Sequence, residues 1–350
     1  MPHTDGRLDF GVLLPHVHVF GGVRRFLEIG NVLVARGHRY VLYHPEGAPP
    51  TWMEYRGEVQ PLSALAAQRH AVLLTASPEL IEPFAAATAR LKLFYCVHKN
   101  LPGGAIARHR GWTLLANSSG LGQRLWRRYR VHAEPAIGGV DIHRFQPRQT
   151  PRAAPEPFRV LVFGRWARAG KGAGLAVRAV EGLATALRHR APAWAGTLAH
   201  PVQLVLFDHA VPGGAENPAS QLQCTVPHEF HWNRAQDELA RLYASCDLFL
   251  SAERRAGWNN TVAEAMASGV PVVCTRAGTE DLAAHGETAL VVRLRHPFFF
   301  RRALLALCRD QALRERLARQ GRAQAERYSW DHVADRIEAV SRARLASAGA

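Results

Sequence analysis

The chain reads as an α/β protein of two Rossmann-like domains facing each other across a cleft, and three observations predict it. Short apolar runs of the kind buried on both faces of a parallel sheet alternate with amphipathic helical stretches along most of the 350 residues. Glycines recur where a run gives way to a helix: Gly21 and Gly22, Gly164 and Gly170, Gly257. A proline-rich segment, 149–157, divides the alternation into two stretches, each long enough for its own core. The expected domains are 1–150, 151–325, and a closing helical segment, 326–350.

Residues 8–14 (LDFGVLL) form a first strand, stopped by Pro15. A helix over 23–36 follows from the spacing of Val23, Phe26, Leu27, Ile29 and Val32; Gly37 ends it, and 40–43 is the next strand. The glycine pair opens this βαβ unit, but the full G-x-G-x-x-G fingerprint is missing, so spacing alone is a weak dinucleotide signal. His16 and His18 lack a third ligand and read as loop residues rather than a metal site. Strands at 71–75 and 91–96 flank a helix at 78–89. His98 lies just past the second of these, on the rim where open α/β sheets bind ligands, although a lone histidine there is more often an ordinary surface residue. A strand at 114–116 leads to a helix capped by 117–119 and running to Tyr129. Its Arg124, Arg127, Arg128 and Arg130 beside Trp126 suit a solvated face or, alternatively, an anionic membrane surface.

The second half opens with a strand at 159–163 that runs into Gly164, Arg165, Gly170, Lys171 and Gly172. A Walker loop fails here, because the glycine spacing is wrong and Gly172 stands where a hydroxyl is needed. What remains is an arginine and a lysine bracketing a turn, an arrangement suited to a diphosphate. A strand at 202–207, a polar loop at 213–220 and a helix at 237–246 with Leu239, Leu242, Tyr243 and Cys246 on one face come next. The stretch 256–278 (AGWNNTVAEAMASGVPVVCTRAG) organises this half. Gly257 opens a loop, and Asn259, Asn260 and Thr261 are N-cap types before a helix over 262–267. Gly269 and Pro271 stop that helix before an apolar strand at 270–274. Orphan amides at such a helix start bind anions and polyols, and Glu264 reaches the same ligand from one turn in. A strand at 290–292 and one arginine-rich helix over 301–322 complete the pattern.

At these residues the chain resembles a known family. EAMASGVPVV followed by GTEDLAAHGETALVV resembles the donor-binding signature of the retaining nucleotide-sugar glycosyltransferases of family 4, whose fold is GT-B. The segments GGVRRFLEIGNVLVARGHRYVLYHP, AIGGVDIHRFQP and ERYSWDHVADRIEAV extend the resemblance over nearly the whole chain. It implies that Glu264 holds the donor ribose, and that Gly257, Trp258, Asn259, Asn260 and Thr261 form the sugar loop. It further implies that Gly21 and Gly22 face the donor phosphates, that Arg165 and Lys171 bind the diphosphate, and that His98 meets the donor sugar. The closing helix crosses back to the first domain. Eight positions before Glu264 the family carries a further glutamate; here Ala256 stands there, and the nearest acid is Glu253.

Composition narrows the classes. The formal charge of +15 favours anionic partners, but no helix-turn-helix or aromatic-basic motif points to nucleic acid. No uncharged apolar run is long enough to span a membrane. MPHTDGRLDF has no apolar core of a secretory signal, and the five scattered cysteines read as reduced core thiols, so a cytoplasmic protein, peripheral at most to the inner membrane face, is expected. The expected reaction is transfer of a sugar, with retention, from a nucleotide diphosphate sugar to a sugar or lipid-linked hydroxyl acceptor, with no metal and no cofactor. A catalytically weakened homologue that binds the nucleotide sugar or supports a partner subunit is the competing expectation, motivated by Ala256.

Overall fold

The computed structural model describes residues 6–98, 100–149, 156–166, 168–189, 201–210, 217, 219 and 222–347. The chain divides into two compact units: the first runs to Gly139 and resumes at Trp330, and the second is Val140–Ser329.

The first unit contains β1 (Asp9–Leu13), α1 (Gly21–Ala35), β2 (Arg39–His44), β3 (Glu58–Pro61), β4 (Arg69–Thr75), α2 (Ile81–Ala86), β5 (Thr88–Cys96), α3 (Gly104–Ala107), β6 (Trp112–Ala116), α4 (Ser119–Tyr129) and β7 (Glu134–Pro135). Its strands form a parallel sheet in the order β3-β2-β1-β4-β5-β6-β7. The apolar runs of β1, β4 and β5 occupy its centre, and Phe26, Leu27 and Leu33 of α1 pack on one face. At α4, the Ser118 side chain accepts from Leu121 N, the N-cap bond expected of a serine there. Trp126 on this helix is exposed and stacks on His132.

The second unit contains β8 (Phe158–Phe163), α5 (Ala173–His189), β9 (Val202–Asp208), β10 (His228–Trp232), α6 (Gln236–Ala244), β11 (Leu248–Ser251), α7 (Asn260–Ala267), β12 (Val272–Cys274), β13 (Leu290–Val291), α8 (Pro297–Arg309) and α9 (Gln311–Glu326). This sheet is also parallel, in the order β10-β9-β8-β11-β12-β13. The closing helix α10 (Trp330–Ser347) belongs to the first unit, where Val333 and Ile337 join the core and Asp335 pairs with Arg36, the C-cap of α1, at 2.7 Å. Two doubly wound parallel sheets with helices are the α/β, GT-B arrangement expected of the sequence.

Several details differ from the expectation. The division falls at Gly139 rather than at 150/151, because 140–147 pack with the second unit. Val140 N donates to Tyr328 O at 3.1 Å, and Arg322 Nη1 donates to Phe145 O at 2.7 Å. The Phe145 ring meets Tyr243 edge-on. Most of the proline-rich segment, residues 150–155, lies outside the described residues, as does most of the loop at 213–220. The single arginine-rich helix is two, α8 and α9: Asp310 interrupts the run and caps α9, its Oδ1 accepting from Leu313 N at 2.8 Å. The helix over 78–89 shrinks to α2 behind a 3-10 turn, Pro78–Leu80, since β5 already begins at Thr88. Strand β12 starts only at Val272, because Val270 N turns back to Ala265 O and Pro271 has no N–H to give.

All five cysteines are free thiols, and Cys96, Cys246, Cys274 and Cys308 are buried. Burial pushes the Cys96, Cys274 and Cys308 thiols up to about 12 and Cys246 to about 11. No described helix is long and apolar enough to cross a membrane.

Candidate active site

In the second unit the chain reverses its direction of winding between β8 and β11, and the loops after these strands open at the sheet's carboxyl edge. That switch point is where open α/β sheets bind ligands. Gly164 and Arg165 follow β8, Asp208 ends β9, and Glu253 lies two residues past β11. Between β8 and α5 the backbone turns through Ala169–Lys171 to Gly172. Gly172 has φ +79°, and a Cβ there would lie 2.3 Å from Ala252 O, so the loop is seated against the end of β11. Arg254 N donates to Gly170 O at 2.7 Å, fixing these two loops together, and Arg295 Nε, from the turn before α8, donates to Ala252 O at 2.7 Å.

Both cations predicted from sequence are here, and each carries an acid of its own chain. Arg165 is buried and donates through Nε (2.8 Å) and Nη2 (2.6 Å) to Asp208 Oδ1, and through Nη2 to His209 O. Lys171 Nζ lies 2.6 Å from Glu253 Oε1. Both groups sit over the Phe163 ring, at 5.2 and 5.7 Å from its centre. The Arg165 and Lys171 heads thus share one aromatic neighbour. Burial pushes the Glu253 carboxyl above its usual range, and Lys171 offsets only part of that.

Glu264 is buried on α7 and accepts from the Tyr243 hydroxyl at 3.0 Å. Tyr243 packs edge-on against Phe207, which neighbours Phe163, so a ladder of rings links the Glu264 position to the two cations. Ahead of α7 the N-cap is Asn259: its Oδ1 accepts from Val262 N and Thr261 Oγ1, and its Nδ2 donates to Ser251 Oγ. Asn260 and Thr261 are half-buried in the first turn, while Gly257 and Trp258 are buried. Trp258 packs on Tyr328, and its indole N–H has no partner among the described residues. The Ala256 methyl faces Gly278, where a Cβ would approach it to 2.7 Å. Glu253, three residues before Ala256, is committed to Lys171.

The remaining predicted residues belong to the first unit. Gly21 and Gly22 start α1, and a Cβ on Gly22 would lie 3.9 Å from His98 Cε1. Gly22 and His98 border a cavity of about 340 Å³ at the carboxyl ends of β1, β4 and β5, floored by Phe26, Phe94 and Cys96 and edged by His16, Ser77 and Glu79. Burial and the neighbouring His18 lower the His16 pKa, which favours a neutral imidazole. Within each unit the sequence-predicted residues are therefore neighbours.

Sequence reasoning missed Asp208 and the part played by Tyr243. Asp208 had a readable signal, an acid ending a parallel strand beside a switch point. Tyr243 looked like one more apolar position on its helix.

The architecture is that of the GT-B glycosyltransferases. Sucrose-phosphate synthase of Thermosynechococcus elongatus superposes with a TM-score of 0.75 at 16% identity, covering 97% of this chain and all of that one. HepE of Anabaena, solved with UDP and glucose, gives 0.73 at 15% identity, covering 95% and 99%. Residues 157–310 match the family model of the glycosyl transferases group 1. That match lies within the second unit. A D-inositol 3-phosphate glycosyltransferase of Nocardioides sp. is 30% identical over 224 residues, 59% of this chain. One from Stackebrandtia nassauensis is 31% identical over 145 residues, 39% of this chain. The matched stretch spans about half of the first relative, 47% of its length, and 33% of the second.

Proposed function

We propose that the chain transfers a sugar from a nucleotide diphosphate sugar to a hydroxyl acceptor, with retention at the anomeric carbon and without a metal, on the cytoplasmic side. The observation that carries this reading is the pair of cations on Phe163, linked through Phe207 and Tyr243 to a buried carboxylate on α7, at the switch point of the unit in which the family model matches. When the bond between the anomeric carbon and the phosphate oxygen breaks, negative charge grows on the departing diphosphate. Arg165 and Lys171 are placed to receive it, each plausibly worth about 2–4 kcal/mol of barrier when the donor is preorganised. The acceptor oxygen bonds to the anomeric carbon from the face the phosphate leaves, and its proton passes to the departing phosphate oxygen. Glu264, aligned by Tyr243, accepts from the ribose hydroxyls, and the α7 loop amides and the Trp258 N–H donate to the sugar. Gly22 and His98 line the first unit's own cavity, which takes the acceptor. The neighbours solved with UDP and UDP-glucose support a nucleotide-sugar donor.

A thermal-shift screen of UDP-, GDP- and ADP-sugars tests donor binding. A ligand at 100 times its Kd adds about 2.7 kcal/mol of stability, and Glu264→Gln should remove most of that shift. A full shift in the variant would falsify the assignment of Glu264. Ala256 favours a second reading, a nucleotide-sugar-binding homologue with weak or no transfer. Donor binding without turnover in hydrolysis and transfer assays would select it.

A further inference from the structure

Four large apolar side chains are exposed among the described residues, and three of them fall within six positions of one another: Leu294 (62%), Phe298 (47%) and Phe299 (36%). They occupy the turn between β13 and α8 and the first turn of that helix. From Thr288 to Arg309 the sequence holds five arginines and no carboxylate. Phe300 points the other way, fully buried with Leu304, and anchors α8 to the core. The His296 ring accepts from Phe298 N, holding the first turn in place. Phe298 and Phe299 stand edge to face at 5.3 Å, and the Arg301 guanidinium lies over Phe298 at 5.1 Å. The patch is therefore ordered, and apolar groups there are ringed by cations.

We propose that this patch docks the chain on an anionic phospholipid bilayer. The chemistry selects that occupant. Leucine and phenylalanine gain by entering the boundary between headgroups and acyl chains, while Arg293, Arg295 and Arg302 meet lipid phosphates. A second copy of this chain meeting it through the same patch brings the same arginines and is repelled, and nucleic acid offers no apolar phase for Leu294. Arg295 also holds Ala252 O, so the docked turn is tied to the loop that carries Glu253, the ion-pair partner of Lys171. The surface does not depend on the transfer reaction, so a negative transfer assay leaves it standing.

The test is sedimentation of the full chain with vesicles of phosphatidylglycerol and phosphatidylcholine, against vesicles of phosphatidylcholine alone. The wild type should partition onto the anionic vesicles and release as salt rises. Combined Leu294→Ser, Phe298→Ser and Phe299→Ser substitutions, all at exposed positions, should lower partitioning about tenfold or more at unchanged Tm. Arg293→Gln with Arg302→Gln should lower it about tenfold and weaken its salt dependence. Trp126→Ser on α4 should leave it unchanged. Absence of wild-type binding, binding that survives the triple substitution, or binding lost with Trp126 would each overturn the proposal. So would a concentration-dependent dimer abolished by the triple substitution, which would make the occupant a second copy.

Discussion

Lys171 Nζ and Glu253 Oε1 stand 2.6 Å apart, so the loop cation proposed to meet the donor diphosphate is already neutralised by its own chain. Binding a diphosphate then means sharing or displacing this partner. Lys171→Ala leaves the Glu253 carboxylate buried and unpaired, which is expected to cost about 1–3 kcal/mol, limited by protonation of the acid and by the part-exposed lysine. The double variant with Glu253→Ala should regain the stability but not the donor binding. Denaturant melts and nucleotide-sugar titration of both variants separate the two effects. A double variant that binds donor normally removes Lys171 from the site.

Glu253→Gln should act in the opposite sense. With the charge removed, Lys171 is free for an anion, and nucleoside diphosphate affinity should rise about threefold to tenfold. Isothermal titration with UDP and GDP measures it; unchanged affinity for both would mean the lysine does not meet the phosphates.

Tyr243→Phe keeps the ring ladder and deletes only the hydroxyl that donates to Glu264. The expected loss of stability is about 1 kcal/mol, together with weaker nucleotide binding because the carboxylate loses its alignment. If Glu264 serves only the fold, the melting curve moves and the nucleotide Kd stays put.

Acid sensitivity should come in part from Glu229. Burial alone would push this carboxyl up, but hydrogen bonds from His231 and Arg159 outweigh it and the net shift is downward. A lowered carboxyl pKa stabilises the fold above the unfolded value, and that stability is lost as pH falls through the native one. Glu229→Gln should therefore lower Tm near neutrality and flatten its decline below about pH 4.5. A Tm profile from pH 3 to 7 shows whether the acid limb changes; identical slopes would remove Glu229 as its source.

Gly139 precedes the point where the chain enters the second unit, at φ +119°. A Cβ there would lie 2.0 Å from the Trp330 ring, which is backbone against an immobile indole. Gly139→Ala is expected to destabilise the first unit by about 2–4 kcal/mol. A Tm within a degree of wild type would show that the ring moves aside freely.

The central strands were legible because they are largely buried on both faces: β1, β4, β5, β8 and β9 each carry a short apolar run. The edge strands β3 (Glu58–Pro61) and β10 (His228–Trp232) were not, since their residues are half-exposed and polar and their order comes from pairing with a neighbour. Asp310 shows a different limit. One cap residue in the middle of an arginine-rich amphipathic pattern splits a helix without disturbing its period. Arg25 shows another: it is buried on α1 without a described acid partner, held by the Tyr95 hydroxyl and by the Tyr95 and Trp330 rings. Trp330 lies more than 300 positions away in the chain.

At the site, residue types and spacing announced Arg165, Lys171, Asn259 and Glu264, because capping and diphosphate chemistry restrict what can stand there. Their acid partners were hidden. Asp208 and Glu253 reach them across 43 and 82 positions, and no local pattern encodes a pairing at that separation.

The buried thiols give each unit a silent label of its own. A thiol raised to about 12 and shielded from solvent exchanges with disulfide reagents only when its surroundings open. Cys96 reports on the unit that includes the closing helix, and Cys246, Cys274 and Cys308 on the other, with no label to engineer. Their relative labelling rates in mild denaturant tell directly whether the two halves come apart as one cooperative system or as two.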